Sequence, residues 1–168
     1  SRTARKVYWA IIVGVPSIED GMIELPLAKQ PGSGGEKMQV DQKEGAPART
    51  RYRVIDRAGN SAAWVELQPY TGRTHQLRAH MAEMGHPIAG DGKYGGNTAD
   101  NMGDGWGASI GGDVSRKLHL HARSLTVEHP VTGEMMTFTA PLPDHMAKTW
   151  KMLDWNEKDV PADPFAGN

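Results

Sequence analysis

Arg73, Thr74, His75, Gln76 and Arg78 stand within six positions of one another in the string QPYTGRTHQLRAHMAEMGHPIAGDGKYG, residues 68–95. Pro69 and Gly72 break any regular element before them. Leu77, Met81 and Met84 then recur at helical spacing and predict a short helix with one apolar face. Thr74 is the expected N-cap, because its hydroxyl can accept an orphan amide hydrogen bond. Gly85 is placed to end the helix in the left-handed conformation, with Pro87 two residues on. Arg73 falls in the turn before the helix, where a cation opposes the helix dipole. Such a residue makes sense if it and the first amides hold an anion together, and a phosphate is the obvious one. A capped surface helix with two arginines needs no ligand, so the pattern alone leaves both readings open.

Other chemistries fit less well. His75 and His80 are five apart, about 140° round a helix from each other, and lack the four-residue spacing and glutamate of a zinc helix. His119 and His121 project from one side of a strand, without a third ligand at a diagnostic distance. A resident metal is therefore not expected. There is no Gly-x-Ser-x-Gly elbow and no cysteine, which argues against a nucleophilic hydrolase. The glycine-rich stretches lack the Gly-Lys-Ser/Thr ending of a phosphate loop.

The elements that must position these residues read as follows. The apolar, β-branched run Val7–Val13 predicts a buried strand, with Tyr8 inside it. From Ser17 to Pro47 the composition turns to Gly, Pro and Lys. Leu25-Pro26-Leu27 is expected as a short edge strand, and residues 30–35 (QPGSGG) as disorder or a hairpin tip. Residues 50–56 and 62–67 predict an antiparallel hairpin around the turn-like RAGNS, with Arg51 and Arg53 together on one face. Asn97 to Asp113 reads as a mobile glycine-rich loop, with Trp106 either pinning it or stacking on a base. Residues 117–128 and 135–139 predict a second hairpin around Pro130 and Gly133. Asp144 to Trp155 is expected to close the chain as an amphipathic helix, and the last ten residues to be frayed.

The 168 residues suit one domain. Formal net charge is −1, so any basic field must be local. Residues 1–57 carry ten Lys and Arg against seven Asp and Glu, and residues 144–168 three against five. That asymmetry fits a basic face with an acidic tail. The absence of cysteine suits a reducing compartment. The start, SRTARKVYWAIIVG, lacks a cleavage site and its apolar run is short, so it is not read as a signal peptide. No stretch is long enough to span a bilayer as a helix. The setting expected is the cytoplasm. The chain opens without methionine, so Ser1 is not expected to be the natural beginning.

The full string resembles the RluA-type pseudouridine synthases, the ribosomal large subunit class. In that family TGR(T/S)HQ(L/I)R.H leads into GHPI.GD..Y, and here every motif position from Thr71 to Tyr94 is filled. Lys6, Tyr8 and Ala10 match the family's K.Y.A element. The resemblance implies an α+β fold, a mostly antiparallel mixed sheet with a few helices. It implies isomerisation of a uridine within RNA, with ribosomal RNA the expected partner and no cofactor or metal. An aspartate attacks, the glycosidic bond breaks, the base turns, and carbon-5 is rejoined to the sugar. The target base must leave its stack to be reached. By motif position Arg78 would keep the catalytic carboxylate ionised and oriented, Tyr8 would pack against the uracil and act in proton abstraction, and Leu77 would line the pocket floor. Without the resemblance, Tyr8 reads as an ordinary core tyrosine. Arg73 is then the phosphate binder; Thr74, His75 and Gln76 are further candidates for RNA contact or for bracing the turn, Arg51 and Arg53 are candidate RNA contacts, and Asp91 is expected to fix its turn.

The family's catalytic aspartate lies in an HRLD..TSG motif upstream of the K.Y.A strand, and these residues contain none. Residues 1–145 would therefore be the C-terminal part of a catalytic domain, with 146–168 a terminal helix and tail. Alone, such a chain is expected to be inactive and, with open sheet edges, to self-associate. The rival reading is a non-catalytic RNA-binding module.

Overall fold

The computed structural model describes residues 4–32, 37–99 and 113–163. The expectations for residues 97–113 thus fall mostly outside the described residues, and that for Trp106 entirely so.

Nine residues of β1 (Arg5–Val13) form the centre of a six-stranded sheet ordered β2-β5-β6-β1-β7-β8. Its other members are β2 (Asp20–Glu24), β5 (Arg49–Ala58), β6 (Ala62–Pro69), β7 (Leu120–Glu128) and β8 (Met135–Thr139). Every pairing in it is antiparallel. A separate two-stranded sheet joins β3 (Leu27–Lys29) to β4 (Met38–Val40). The helices are α1 (Gln76–Glu83), α2 (Gly92–Ala99) and α3 (Asp144–Met152). The architecture is α+β, as the sequence predicts. Among the described residues no helix is long and apolar enough to cross a membrane.

The sheet separates two cores, because alternate side chains of a strand point to opposite faces. Ala10 and Ile12 of β1, Ala63, Val65 and Leu67 of β6, and Tyr52 of β5 meet Leu77 and Met81 of α1 on the first face. Val7, Trp9 and Ile11 of β1, with Ala62 and Trp64 of β6, meet Met146 and Trp150 of α3 on the second. Four tryptophans interlock there: the ring centres of Trp9 and Trp64 lie 5.0 Å apart, those of Trp64 and Trp150 5.2 Å, and those of Trp150 and Trp155 5.4 Å. The edge-to-face geometry of these pairs suits the aromatic quadrupole.

Several local expectations need correction. Pro26 does not sit inside an edge strand; it separates β2 from β3, and β2 itself was not predicted. Its only deeply buried apolar side chain is Ile23, too weak a pattern to read. α1 begins one residue late. Its cap is His75 rather than Thr74, in the left-handed region at φ 50°, with no side-chain capping bond. Its end follows the expected form: Gly85 has φ +85°, its amide reaches Ala82 O, and the His86 amide reaches Met81 O. That pair of bonds is a Schellman motif. The tail is tied down through residue 163. Asp163, whose side chain is 6% exposed, binds Arg5 at 2.8 Å and Arg51 at 2.9 Å, and accepts from Gln68 at 3.0 Å.

Candidate functional site

The turn entering α1 is organised by Gln76, which is buried. Its Oε1 accepts from Thr71 Oγ1 at 2.7 Å and from the Arg73 amide at 3.1 Å. Its Nε2 donates to Arg49 O at 2.9 Å and to Thr50 Oγ1 at 3.0 Å. Each polar atom of the side chain is thus committed inside the protein, so Gln76 braces the turn, one of the two roles expected of it. Thr50 passes the network on to His80 Nδ1 at 2.8 Å, and His80 Nε2 reaches Leu25 O at 2.8 Å. A carbonyl can only accept, so Nε2 carries the proton and Nδ1 accepts from the threonine. Burial pushes the His80 pKa down, which favours this neutral form.

Arg73 and Thr74 are exposed at the tip of the turn. Arg73 is anchored by one bond, Nε to Pro47 O at 2.8 Å. Its own amide is turned inward to Gln76, so it is not among the amides available to an anion. His75 is half-buried, and its Nδ1 lies 2.8 Å from the Tyr94 hydroxyl. Its positive φ is a sparsely populated state for a residue with a Cβ, of the kind that concentrates at functional sites.

Leu77 and Arg78 follow on the first turn of α1. Leu77 joins the apolar cluster of the first face, and Tyr8 packs against that same cluster. Arg78 forms a two-pronged pair with Asp91: Nε to Oδ2 at 2.9 Å and Nη2 to Oδ1 at 2.8 Å. Asp91 is 1% exposed. Its hydrogen bond raises the arginine's pKa, against the opposing effect of burial. Asp91 therefore does more than fix its own turn. That turn also depends on Gly90 (φ +84°), where a Cβ would lie 2.3 Å from Lys117 O. Tyr94, on α2, completes the group. Its ring centre lies 5.1 Å from the Arg78 guanidinium carbon, and its hydroxyl accepts from the Met38 amide of β4 at 3.0 Å. Burial pushes its pKa up, so the hydroxyl keeps its proton at neutral pH.

Tyr8 sits beside a β-bulge. Val7 is opposite Ser124 and Tyr8 opposite Ala122, which leaves Arg123 as the extra residue. Bulges of this kind re-aim side chains next to active sites. Tyr8 lines an open cleft of about 370 Å³ with Lys6, Ala122, Leu125, Phe138 and Ala140. Phe138 is 58% exposed and gives the cleft an apolar wall.

The placement of Arg51 and Arg53 overturns an expectation. Both are buried, and register puts them on the second face, opposite to Tyr8 and Leu77. Arg51 pairs with Asp20 at 2.6 Å and Asp163 at 2.9 Å; Arg53 pairs with Glu66 and donates to Pro161 O, each at 3.0 Å. Both guanidinium groups are taken up by carboxylates within the protein. The counterions lie far away in sequence, which is why alternation alone suggested an exposed basic stripe. Among the described residues no group of three His, Asp or Glu side chains is placed to hold a metal.

Comparison with known proteins decides the family. Residues 1–83 match the family model for RNA pseudouridylate synthase. The dual-specificity RNA pseudouridine synthase RluA of Escherichia coli K12 is 40% identical over 140 residues, 83% of this chain and 58% of RluA. The chain belongs to the RluA-type pseudouridine synthase family. The ribosomal large subunit pseudouridine synthase C of Haemophilus ducreyi is 37% identical over 148 residues, 88% of this chain and 43% of that protein. Among solved structures, human RNA pseudouridylate synthase domain containing 4 superposes with a TM-score of 0.68 at 30% identity, covering 91% of this chain and 63% of that one. The chain thus spans about half the length of the curated RluA-type relatives it matches.

Proposed function

We propose that this chain supplies the C-terminal part of a catalytic domain that converts uridine to pseudouridine in RNA, with ribosomal RNA as the substrate class. The observation that carries the reading is that two motif side chains, Tyr8 and Leu77, share one apolar cluster on one sheet face, and that Arg78 follows Leu77 directly on α1. Tyr8 comes from β1, and Leu77 and Arg78 from α1, with Arg78 held rigid by a buried carboxylate. In this reading the uracil lies against Tyr8 over the apolar floor that includes Leu77, and Arg78 holds the attacking carboxylate ionised and oriented. Arg73, exposed at the tip of the turn, contacts RNA phosphate together with Thr74. The nucleophilic aspartate comes from polypeptide carrying the HRLD motif, which these 168 residues lack. No cofactor enters this scheme, and the setting is the cytoplasm. The open edges of the sheet, β2 and β8, are the places where separated chains would pair with one another.

The reaction breaks the carbon-5 to hydrogen bond of the target, so release of tritium from 5-tritiated uridine in RNA reports it directly. The chain alone is expected to release none. Joined to an HRLD-bearing segment it releases tritium, and Arg78→Leu then lowers the rate by about 10²–10³-fold, the range for a lost charge-stabilising donor. Tritium release by the isolated chain, or full activity of the Arg78→Leu enzyme, contradicts the reading.

A further inference from the structure

A guanidinium can grip carboxylates along more than one edge. Asp91 occupies the side edge of Arg78, made by Nε and Nη2, at 2.9 and 2.8 Å. The end edge, made by Nη1 and the outer hydrogen of Nη2, is directed away from Asp91. The fork cannot swivel in its own plane without leaving a carboxylate that is 1% exposed with only the Tyr94 amide, 3.4 Å from Oδ1, an arrangement disfavoured in a protein interior. Tilting out of that plane is opposed by Tyr94, whose ring centre lies 5.1 Å from the guanidinium carbon. The ring is fixed in turn at its hydroxyl. The Met38 amide can only donate to it, which leaves the hydroxyl hydrogen for His75 Nδ1 at 2.8 Å. One residue sets the direction of the fork, and the other sets its plane.

We propose that Asp91 and Tyr94 are positioning residues: they fix Arg78 so that its end edge alone meets the nucleophilic carboxylate, and Asp91 cancels the charge that Arg78 would otherwise exert on it. This rests on the reading of Arg78 given above. It has an electrostatic consequence that a purely structural role lacks. With the Arg78–Asp91 pair electroneutral, Arg78 orients the nucleophile and favours its ionised form through the hydrogen bonds it donates rather than through net charge. Asp91→Asn bares a full positive charge, which favours the ionised nucleophile and draws its titration to lower pH.

The test is single-turnover tritium release between pH 4 and 8 by the enzyme that joins this chain to its aspartate-bearing segment. Asp91→Asn is expected to move the acid limb of the rate profile to lower pH. At pH 7 it lowers the rate by on the order of tenfold, as a misdirected reacting group does. Tyr94→Phe keeps the ring and the wild-type acid limb and has a smaller rate effect. Tyr94→Leu loses the ring and falls further in kcat with little change in KM. An Asp91→Asn enzyme with the wild-type acid limb, or a Tyr94→Leu enzyme with wild-type kcat, overturns the proposal. A second measurement uses this chain alone: exchange of the Arg78 Nε–H with water, followed by nitrogen-15 NMR. The proposal requires slow exchange in the wild type and faster exchange in Tyr94→Leu, and rapid wild-type exchange overturns it. If the joined wild-type enzyme makes no pseudouridine, the functional reading fails, while the Nε–H exchange still decides whether Arg78 is gripped.

Discussion

The two faces of the central sheet use the same strands for different ends. On the second face, cations and carboxylates are spent on one another. Arg51, Arg53 and Arg5 are bound by Asp20, Asp163 and Glu66 around a core of four tryptophans. On the first face, Thr50, Gln76 and His80 satisfy each other below the surface, while Arg73 stays exposed above them. The difference teaches that the number of arginines on a strand says little about a binding surface. What counts is whether the fold has already supplied each one with an anion.

If the division holds, damage to the second face costs stability and leaves RNA affinity of the folded protein intact, and loss of the exposed Arg73 above the first face does the opposite. The largest effect is expected from Trp64→Ala, at about 3–5 kcal/mol, because the ring is deeply buried and its neighbours cannot all collapse into the space. Urea unfolding measures the loss, and RNA titration of the folded fraction checks that affinity is unchanged. Next comes acid. His119 is buried, with Nε2 2.9 Å from Thr149 Oγ1 and Nδ1 2.8 Å from Lys117 O, and burial pushes its pKa down to about 4. The unfolded chain binds that proton near pH 6.5 and the folded one does not. Stability therefore falls as pH drops from about 6.5 to about 4, by on the order of 3 kcal/mol, and levels off below. His80 on the first face adds to the fall in the same direction. Urea midpoints across this range give the slope, which His119→Gln should flatten.

A smaller loss, about 1–3 kcal/mol, is expected for Arg53→Met, which leaves Glu66 with Trp9 Nε1 as its remaining partner. The salt dependence of RNA binding should not change in that variant; a flatter slope would return Arg53 to the binding surface. The smallest effect on stability, within about 0.5 kcal/mol, belongs to Arg73→Ala. That variant should instead flatten the dependence of log affinity on log salt by about 0.7, one phosphate's worth on a single strand. An unchanged slope would remove Arg73 from the interface.

Elements whose pattern is dense were legible. β1 is a run of apolar residues, β5 and β6 alternate around a turn, and α3 carries Met146 and Trp150 on one side. α2 was not, since its stretch GKYGGNTA holds three glycines and bends at Gly96 (φ 55°, ψ −143°), so its local preference points to a loop. The site residues were visible as a motif, but not their partnerships. Asp91 is 13 positions from Arg78, and nothing local says that the two close on each other. The cap at His75 was hidden because Thr74 is the better capping residue by type, and the preference for His75 comes from tertiary contact with Tyr94.

Asp163 has a consequence in the order of synthesis. Its carboxylate joins Arg5, Arg51 and Gln68, residues 158, 112 and 95 positions earlier. A ribosome making the chain from its N-terminus completes all six strands before residue 163 leaves the exit tunnel. Until then the nascent sheet carries a deeply set guanidinium with half of its counter-charge missing. The carboxylate that ties down Arg5 of β1 is thus delivered only after every strand of the sheet has been made.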